Sequence, residues 1–473
     1  MYEFTKIERI DPVVKPSNER VENFEEIYEV YQEEDAASQA SRCIQCGNPY
    51  CSSTGCPLSN NIPQWLRFIA EKDLELAFEI SNETSPFPEI LGRICPHNRL
   101  CEGACTLNDG HGAITIGSIE VSITERGLEK GFSLDFQNAA DSDKSVAIIG
   151  SGPAGLSCAN FLLRAGVKPV IYEQADEPGG LLTYGIPGFK LEKEAVKRRV
   201  DLMTAAGMEL HLNTRIGEDV SFEHLCNEHD AVFLGIGATE GKILSYKGYN
   251  SESVYLAAPF LTNIQKKHFD KDYDKHYSVQ GKKVMIVGGG DTAMDCVRTA
   301  VREKASSVKC FYRRDEANMP GSQKEVEAAK AEGVEFLFQK SPKGFILDQH
   351  DIVRGMKFID TELTDPDEDG RRKMREVEGS EESFYADIVI LALGFNNEKL
   401  SFLEENGIET NEWNAIIVDE KGQTSKPMVF AGGDGVRGAD LAVNAALDGR
   451  EAANNIIEAI FEKTVIHAPK DKN

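Results

Sequence analysis

Residues 146–155 read VAIIGSGPAG. Val146 to Ile149 is a short apolar run, and Gly150, Gly152 and Gly155 follow it at GxGxxG spacing. An apolar helical stretch starts directly behind them. In a strand–turn–helix of this kind the first glycine permits the tight turn and the second lets a pyrophosphate approach the backbone. The third allows helix and strand to pack closely. The amides at the helix N-terminus then face the phosphates. Glu173 closes the next strand, Pro169 to Tyr172, 23 residues after Gly150, where a carboxylate can accept hydrogen bonds from a ribose diol. A glycine-rich turn alone is weak evidence, but strand, helix and acid in register identify a dinucleotide site.

The pattern recurs. Val284 to Val287 is a second apolar strand, followed by GGGDTA and another helix. Gly288, Gly290 and Ala293 give GxGxxA, with Asp291 and Thr292 at the helix mouth. The next strand, Val308 to Tyr312, ends in Arg313 and Arg314 instead of an acid. Two arginines there suit a 2′-phosphate, which predicts NADPH; the alternative is an exposed pair beside Asp315 and Glu316. Strands alternating with helices imply parallel sheets. The acidic stretch from Asp365 to Arg372 is predicted to form a surface hairpin.

Toward the C-terminus, Met428 to Ala431 reads as a strand, then come Gly432, Gly433 and Asp434, and a helix over Ala439 to Ile457. These residues resemble the two-dinucleotide-domain flavoproteins, in which a strand–GD–helix motif binds the ribityl chain of FAD through its aspartate. The following helix there points its N-terminus at the flavin ring, where a positive helix end favours the negative charge of reduced flavin. Two segments so far apart building one FAD site imply that the intervening domain is inserted.

Ahead of the first turn lies a different composition. Seven of the eleven cysteines fall between Cys43 and Cys105. They are spaced Cys43-x2-Cys46-x4-Cys51-x4-Cys56, then Cys95-x5-Cys101-x3-Cys105, with Pro57 and Pro96 each following a cysteine as in bacterial ferredoxins. Zinc competes, because CxxC pairs also bind it, and so does a redox dithiol at Cys43 and Cys46. A flavin reductase fused to this segment favours [4Fe-4S] clusters, since a flavin accepts two electrons and clusters release them singly. Cys158, Cys226, Cys296 and Cys310 sit singly in apolar segments and read as core residues. Ile62 to Ile80 is a helical patch, Glu25 to Asp35 a solvated acidic helix, and 132–144 a polar linker.

The chain has 473 residues, enough for several domains, and a net charge of −26. That charge argues against nucleic-acid or anionic-membrane partners, so phosphates must be held by local devices. No apolar run approaches the roughly 20 residues of a membrane span. The start, MYEFTKIERI, lacks a signal-peptide pattern, and a cytoplasmic location is expected.

Together CIQCGNPYC, GCPLSNNIPQWL, GRICPHNRLCEGACTLN, ITIGSIE, GSGPAGLSCA, GGLLTYGIPGFKL and GGGDTAMDC resemble the small (beta) subunit of NADPH-dependent glutamate synthase along essentially the whole chain. A related module forms the N-terminal half of dihydropyrimidine dehydrogenase. The resemblance implies an α/β fold: a helical iron–sulfur domain (1–131), then two Rossmann-like domains. The NADPH domain (280–390) is inserted into the FAD domain (145–270 and 391–473). It also implies two [4Fe-4S] clusters, one on Cys43, Cys46, Cys51 and Cys105. The other rests on Cys56, Cys95 and Cys101, with Glu120 in ITIGSIE as a non-cysteine eighth ligand; a solvated helix glutamate is the alternative. Gly180, Leu182, Lys190, Ile216, Leu441, Ala442 and Val443 fall beside FAD by the same resemblance. So does the role of electron-input subunit, carrying electrons from NADPH through FAD and the clusters to a large subunit containing FMN and iron–sulfur. That partner makes glutamate from glutamine and 2-oxoglutarate. Alternatives are a flavin-bifurcating NADH-dependent ferredoxin:NADP oxidoreductase, a pyrimidine-reducing system and a zinc-stabilised docking module.

Overall fold

The computed structural model describes residues 3–137, 139–364 and 374–461, so the Asp365 to Arg372 stretch lies outside the described residues. The cysteine-rich region is helical: α1 (Glu33–Ala40), α2 (Ile62–Ala70), α3 (Leu74–Thr84), α4 (Pro88–Ile94) and α5 (Ile116–Glu129). Ile62, Trp65, Leu66 and Ile69 fall on one face of α2 and are buried with Phe78 of α3. Full burial of Trp65 or Phe78 contributes about 2–3 kcal/mol each. The Ile62 to Ile80 patch divides because Lys72 takes a left-handed φ of 65° and Asp73 caps α3 by accepting from the Leu76 amide.

The acidic stretch from Glu25 differs from the expectation of a solvated helix. Helix begins only at Glu33, and the residues before it are bends and irregular chain, with Tyr28 bridging Val14. Ile27 is fully buried, and its amide donates to the Phe189 carbonyl at 3.2 Å. Glu26 accepts from Arg93 Nε at 2.5 Å, so part of the acidity is neutralised by a residue far along the chain.

At Ser145 the architecture changes. Strands β1 (Ser145–Ile149), β2 (Lys168–Tyr172), β3 (Glu209–His211) and β4 (Ala231–Leu234) are parallel, with α6 (Pro153–Arg164) and α7 (Lys193–Ala205) between them. β4 is buried throughout, as a strand covered on both faces must be. The chain then leaves and later returns through a short antiparallel pair, 240–241 with 395–396.

Between those crossings lie β5 (Val254–Leu256), α8 (Ala257–His268), β6 (Lys283–Val287), α9 (Asp291–Arg302), β7 (Ser307–Phe311), α10 (Gln323–Ala331) and β8 (Glu335–Leu337). An antiparallel layer follows, β9 (Lys340–Leu347), β10 (Val353–Leu363), β11 (Met374–Glu376) and β12 (Glu382–Tyr385), then β13 (Ile388–Leu391). The second parallel sheet has the order β5-β13-β6-β7-β8. Residues 254–268, assigned from sequence to the FAD domain, therefore supply an edge strand and a helix to the second sheet. Finally β14 (Val429–Ala431) completes the first sheet as β14-β4-β1-β2-β3, and α11 (Ala442–Phe461) follows. The insertion expected from sequence is thus realised in the strand order.

Two contacts position the parts. Arg199 on α7 makes a bidentate pair with Glu89 on α4 at 2.8 and 2.6 Å, both side chains fully buried. Removing one partner of such a pair typically costs about 3–5 kcal/mol. Helix α11 lies so close on α6 that a Cβ at Gly449 would come within 2.1 Å of the Ala154 carbonyl oxygen. Ser157 Oγ donates to the Ala446 carbonyl at 2.6 Å in the same seam. Among the described residues no helix is long and apolar enough to cross a membrane.

Candidate nucleotide cleft and cysteine centres

The first glycine turn sorts into roles. Gly150 has φ 96°, and a Cβ there would lie 2.5 Å from the Gly235 carbonyl oxygen. A Cβ at Gly155 would lie 1.9 Å from the Gly150 oxygen. Both glycines are required by the fold. Gly152 is different: its φ is −66°, open to any residue, and a Cβ would meet nothing within 4 Å. The protein's own packing gives no reason for glycine there, and the open space lies against the N-terminus of α6. Glu173 is buried and accepts from the Ser151 amide (2.9 Å), Ser151 Oγ (2.6 Å) and the Ala175 amide (2.8 Å). Ser151, which the sequence reading passed over, also accepts from the Gly179 amide at 3.0 Å, tying the turn to the Gly180 segment.

The returning segment closes this site. The Gly433 amide donates to Asp448 at 2.8 Å, and Asp448 is held by Arg437 Nε at 2.9 Å. Asp434 Oδ1 is buried with no hydrogen-bond partner, and burial pushes the Asp434 carboxyl up to about 7. An orphaned buried carboxylate oxygen is suited to a hydroxyl donor such as a ribityl chain. Asp440 accepts from the Leu441 amide (2.8 Å) and Asn444 Nδ2 (2.7 Å), orienting the start of α11.

These pieces line a cleft of about 1060 Å³. Of the residues read from the sequence, Gly150, Gly152, Glu173, Gly180, Leu182, Lys190, Ile216, Asp434, Leu441, Ala442 and Val443 wall it, joined by Gly290, Asp291 and Thr292 from the second turn. Gly155, Gly288, Ala293 and Gly433, also read from the sequence as cofactor positions, are outside the wall; Gly155 and Gly288 are turn positions pressed against backbone carbonyls. Lys190 crosses the cleft to Asp295 of α9 at 3.2 Å. Burial works against the Lys190 charge, but Asp295, Glu325 and Asp291 together raise its pKa above the ordinary lysine value. Lys193, also unread in the sequence, donates to the Leu182 and Ile186 carbonyls at 2.8 and 2.5 Å and fixes the cleft's Gly180–Ile186 rim.

The second turn repeats the division. Gly288 has φ 150° and a Cβ there would lie 2.2 Å from the Ala392 oxygen, whereas Gly290, at φ −87°, is open. Arg313 and Arg314 are exposed and are not part of the cleft wall. Their backbone is pinned: the Arg313 carbonyl accepts from Thr361 Oγ1 at 2.6 Å and the Arg314 carbonyl from the Gln339 amide at 3.0 Å.

In the helical domain a small cavity is walled by Cys43, Cys46, Cys51 and Cys105, with Tyr50, Pro63, Leu66 and Ile114. The thiols surround the cavity; among the described residues no three His, Cys, Asp or Glu side chains converge on a single metal ion. Burial raises the pKa of the Cys56, Cys95 and Cys101 thiols, and the Glu120 carboxylate adds to each, so these four groups share one neighbourhood. Glu120 is buried on α5 rather than solvated. It accepts from Asn60 Nδ2 at 2.7 Å, and burial pushes it up to about 8. Cys95 also walls the nucleotide cleft. Cys158, Cys296 and Cys310 are buried and Cys226 is half-buried.

Residues 20–132 match the family described as dihydropyrimidine dehydrogenase domain II, 4Fe-4S cluster, and residues 144–449 match pyridine nucleotide-disulphide oxidoreductase. The glutamate synthase [NADPH] small chain of Escherichia coli is 46% identical over 464 residues, covering 97% of this chain and 98% of that one. The putative oxidoreductase AegA of the same organism is 45% identical, over 94% of this chain and 69% of that protein. Among solved structures, Mycobacterium tuberculosis FprA in complex with NADPH superposes with a TM-score of 0.56 at 16% identity. It covers 68% of this chain and 85% of that one, a likeness of fold. The zinc and dithiol alternatives give way to a 4Fe-4S domain, and the chain belongs to the glutamate synthase small-chain family, with an oxidoreductase region behind that domain.

Proposed function

We propose that this chain is the electron-input subunit of a glutamate synthase, oxidising NADPH and delivering the electrons to a large catalytic subunit that makes glutamate. The observation that carries this reading is the single cleft walled by both glycine turns and by Cys95 of the helical domain. FAD and [4Fe-4S] clusters, when bound, supply the hydride acceptor and the one-electron carriers. The α6 N-terminus and Gly152 hold the FAD diphosphate, Glu173 its ribose and Asp434 its ribityl chain. Lys190 keeps a positive charge in the cleft, and the α11 N-terminus adds a partial one. Gly290 and the α9 N-terminus take the diphosphate of NADPH, and Arg313 with Arg314 its 2′-phosphate. No side chain need move a proton for hydride transfer; orientation and exclusion of water suffice.

Two clusters are assigned, on Cys43, Cys46, Cys51 and Cys105, and on Cys56, Cys95, Cys101 and Glu120. Glu120→Ala should lower the iron count of anaerobically purified protein and alter its paramagnetic resonance spectrum, with FAD content unchanged. An unaltered count and spectrum would remove Glu120 from the ligand set. The inserted domain runs between the crossings near 240 and 396, a reading that the strand order supports. Eleven cysteines, none of them in a disulfide, suit the reducing cytoplasm.

The isolated chain should reduce artificial acceptors with NADPH and form no glutamate from glutamine and 2-oxoglutarate until the large chain is added. Glutamate made by the pure chain alone would overturn the assignment. The similarity to AegA supports a second reading, the same electron input serving another oxidoreductase. Identifying the large chain that co-purifies separates the two.

A further inference from the structure

Arg99 stands in the short turn between Cys95 and Cys101, yet its side chain walls the nucleotide cleft of the oxidoreductase region. It approaches the first residue of α9, with Arg99 Nη2 3.6 Å from Asp291 Oδ2. Asp291 is an awkward residue at that place. The α9 N-terminus and the open space at Gly290 suit an anion, and a carboxylate beside them repels one. Its charge is managed from two sides: Oδ1 accepts from the Ser322 amide at 2.9 Å, and Oδ2 faces Arg99. At 3.6 Å the Arg99 pair is an ion pair without a hydrogen bond, so the guanidinium retains donors for a second anion. Its side chain is 43% exposed and within reach of a ligand in the cleft.

We propose that Arg99, contributed by the iron–sulfur domain, is a binding residue for the diphosphate of the nicotinamide cofactor at the mouth of α9. This rests on the assignment of the second glycine turn to NADPH. Arg99 cancels the Asp291 charge and offers its planar fork to a phosphate oxygen, completing a site that α9 alone leaves half acidic. Because every nicotinamide dinucleotide carries the diphosphate, Arg99 contributes to affinity without discriminating NADPH from NADH.

The test uses the complete chain with FAD and clusters bound. Arg99→Gln should raise KM for NADPH and for NADH by a similar factor, about tenfold, with a much smaller change in kcat toward an artificial acceptor. The dissociation constant of NADP⁺ by equilibrium dialysis should rise in parallel, and Arg99→Lys should recover part of the loss. Should the glutamine variant lose iron, Arg99→Met, which keeps the aliphatic stem, replaces it in the same measurements. KM and dissociation constant both within twofold of the unaltered chain, in an iron-replete variant, overturn the proposal. Gly290→Val serves as the reference. If it too leaves KM unchanged, the assignment of the cleft to the nicotinamide cofactor fails; if it raises KM and Arg99→Gln does not, only Arg99 is excluded.

Discussion

The two glycine turns of this chain are built alike at their first and middle glycines and differently everywhere else. In both, the first glycine is pressed against a carbonyl across the sheet, Gly235 for one and Ala392 for the other, and the middle glycine faces open space. The third position already diverges: Gly155 has no room for a methyl group, whereas Ala293 is accommodated and fully buried. The residue after the first glycine is Ser151 in one turn, bonded to Glu173. In the other it is Gly289, where a Cβ would strike the Tyr312 ring at 2.3 Å. The largest contrast is closure. The first turn is roofed by Asp434 and the start of α11, brought back from the far end of the sequence. The second faces the cleft with Asp291, Thr292 and Pro320, with Arg99 alongside. A roofed site suits a cofactor that stays, and an open one suits a cofactor that exchanges each turnover.

Side chains placed at the middle glycines break this comparison most directly. Gly152→Val has space in the protein but occupies that of the first diphosphate. It should purify without FAD absorbance and with NADPH oxidation lost, while circular dichroism and melting show a folded chain. Retention of FAD would mean that Gly152 does not line the FAD site. Gly290→Val should keep FAD fully and raise KM for NADPH about a hundredfold or more, because the blocked group binds from solution each cycle. Loss of FAD in this variant would erase the distinction between a resident and an exchanging site.

A smaller effect sharpens the chemistry that distinguishes the two ligands. Replacing Arg313 and Arg314 together by alanine should raise KM for NADPH about 10–30-fold and change that for NADH little, since only NADPH carries the 2′-phosphate. Both arginines lie outside the cleft wall, and their backbone is held by Thr361 and Gln339, so the variant should fold normally. An equal rise for both cofactors would show that the pair does not read the 2′-phosphate.

The legibility of the sequence follows the range of the forces involved. Both glycine turns, their flanking strands and the α11 segment could be read because strand, turn and helix lie within some thirty residues and carry local periodicity. The inserted domain followed from two half-sites far apart. The first strand of the second sheet did not, because Val254–Leu256 is a three-residue strand whose partner, β13, lies more than a hundred residues on. The stretch from Glu25 looks solvated because composition cannot show that Glu26 meets Arg93 or that Ile27 meets Phe189. Ser151 was hidden within the motif itself, since its position is conventionally free. The grouping of Glu120 with Cys56, Cys95 and Cys101 came only from the family resemblance, because nothing local marks a glutamate in ITIGSIE as buried.

The smallest effect concerns how the roofed site prepares for its ligand. Asp434 is held near a pKa of about 7 by burial, well above the ordinary aspartate value of 3.8, and its Oδ1 has no partner. In the FAD-stripped protein the folded state therefore binds a proton over a range in which the unfolded chain has released it. As pH rises from about 4 to about 7 the folded state loses stability through this group, and the penalty is complete above about 7. Asp434→Asn removes the titration and keeps the shape. The melting temperature of the variant relative to the unaltered chain should thus climb between about pH 4 and pH 7 and level off beyond, by a few degrees in all. With FAD bound, a hydroxyl donating to Oδ1 favours the ionised carboxylate, so the same difference should flatten. A difference that is flat without FAD, or one that climbs equally with FAD present, would mean that the Asp434 carboxyl does not wait for a donor from the ligand.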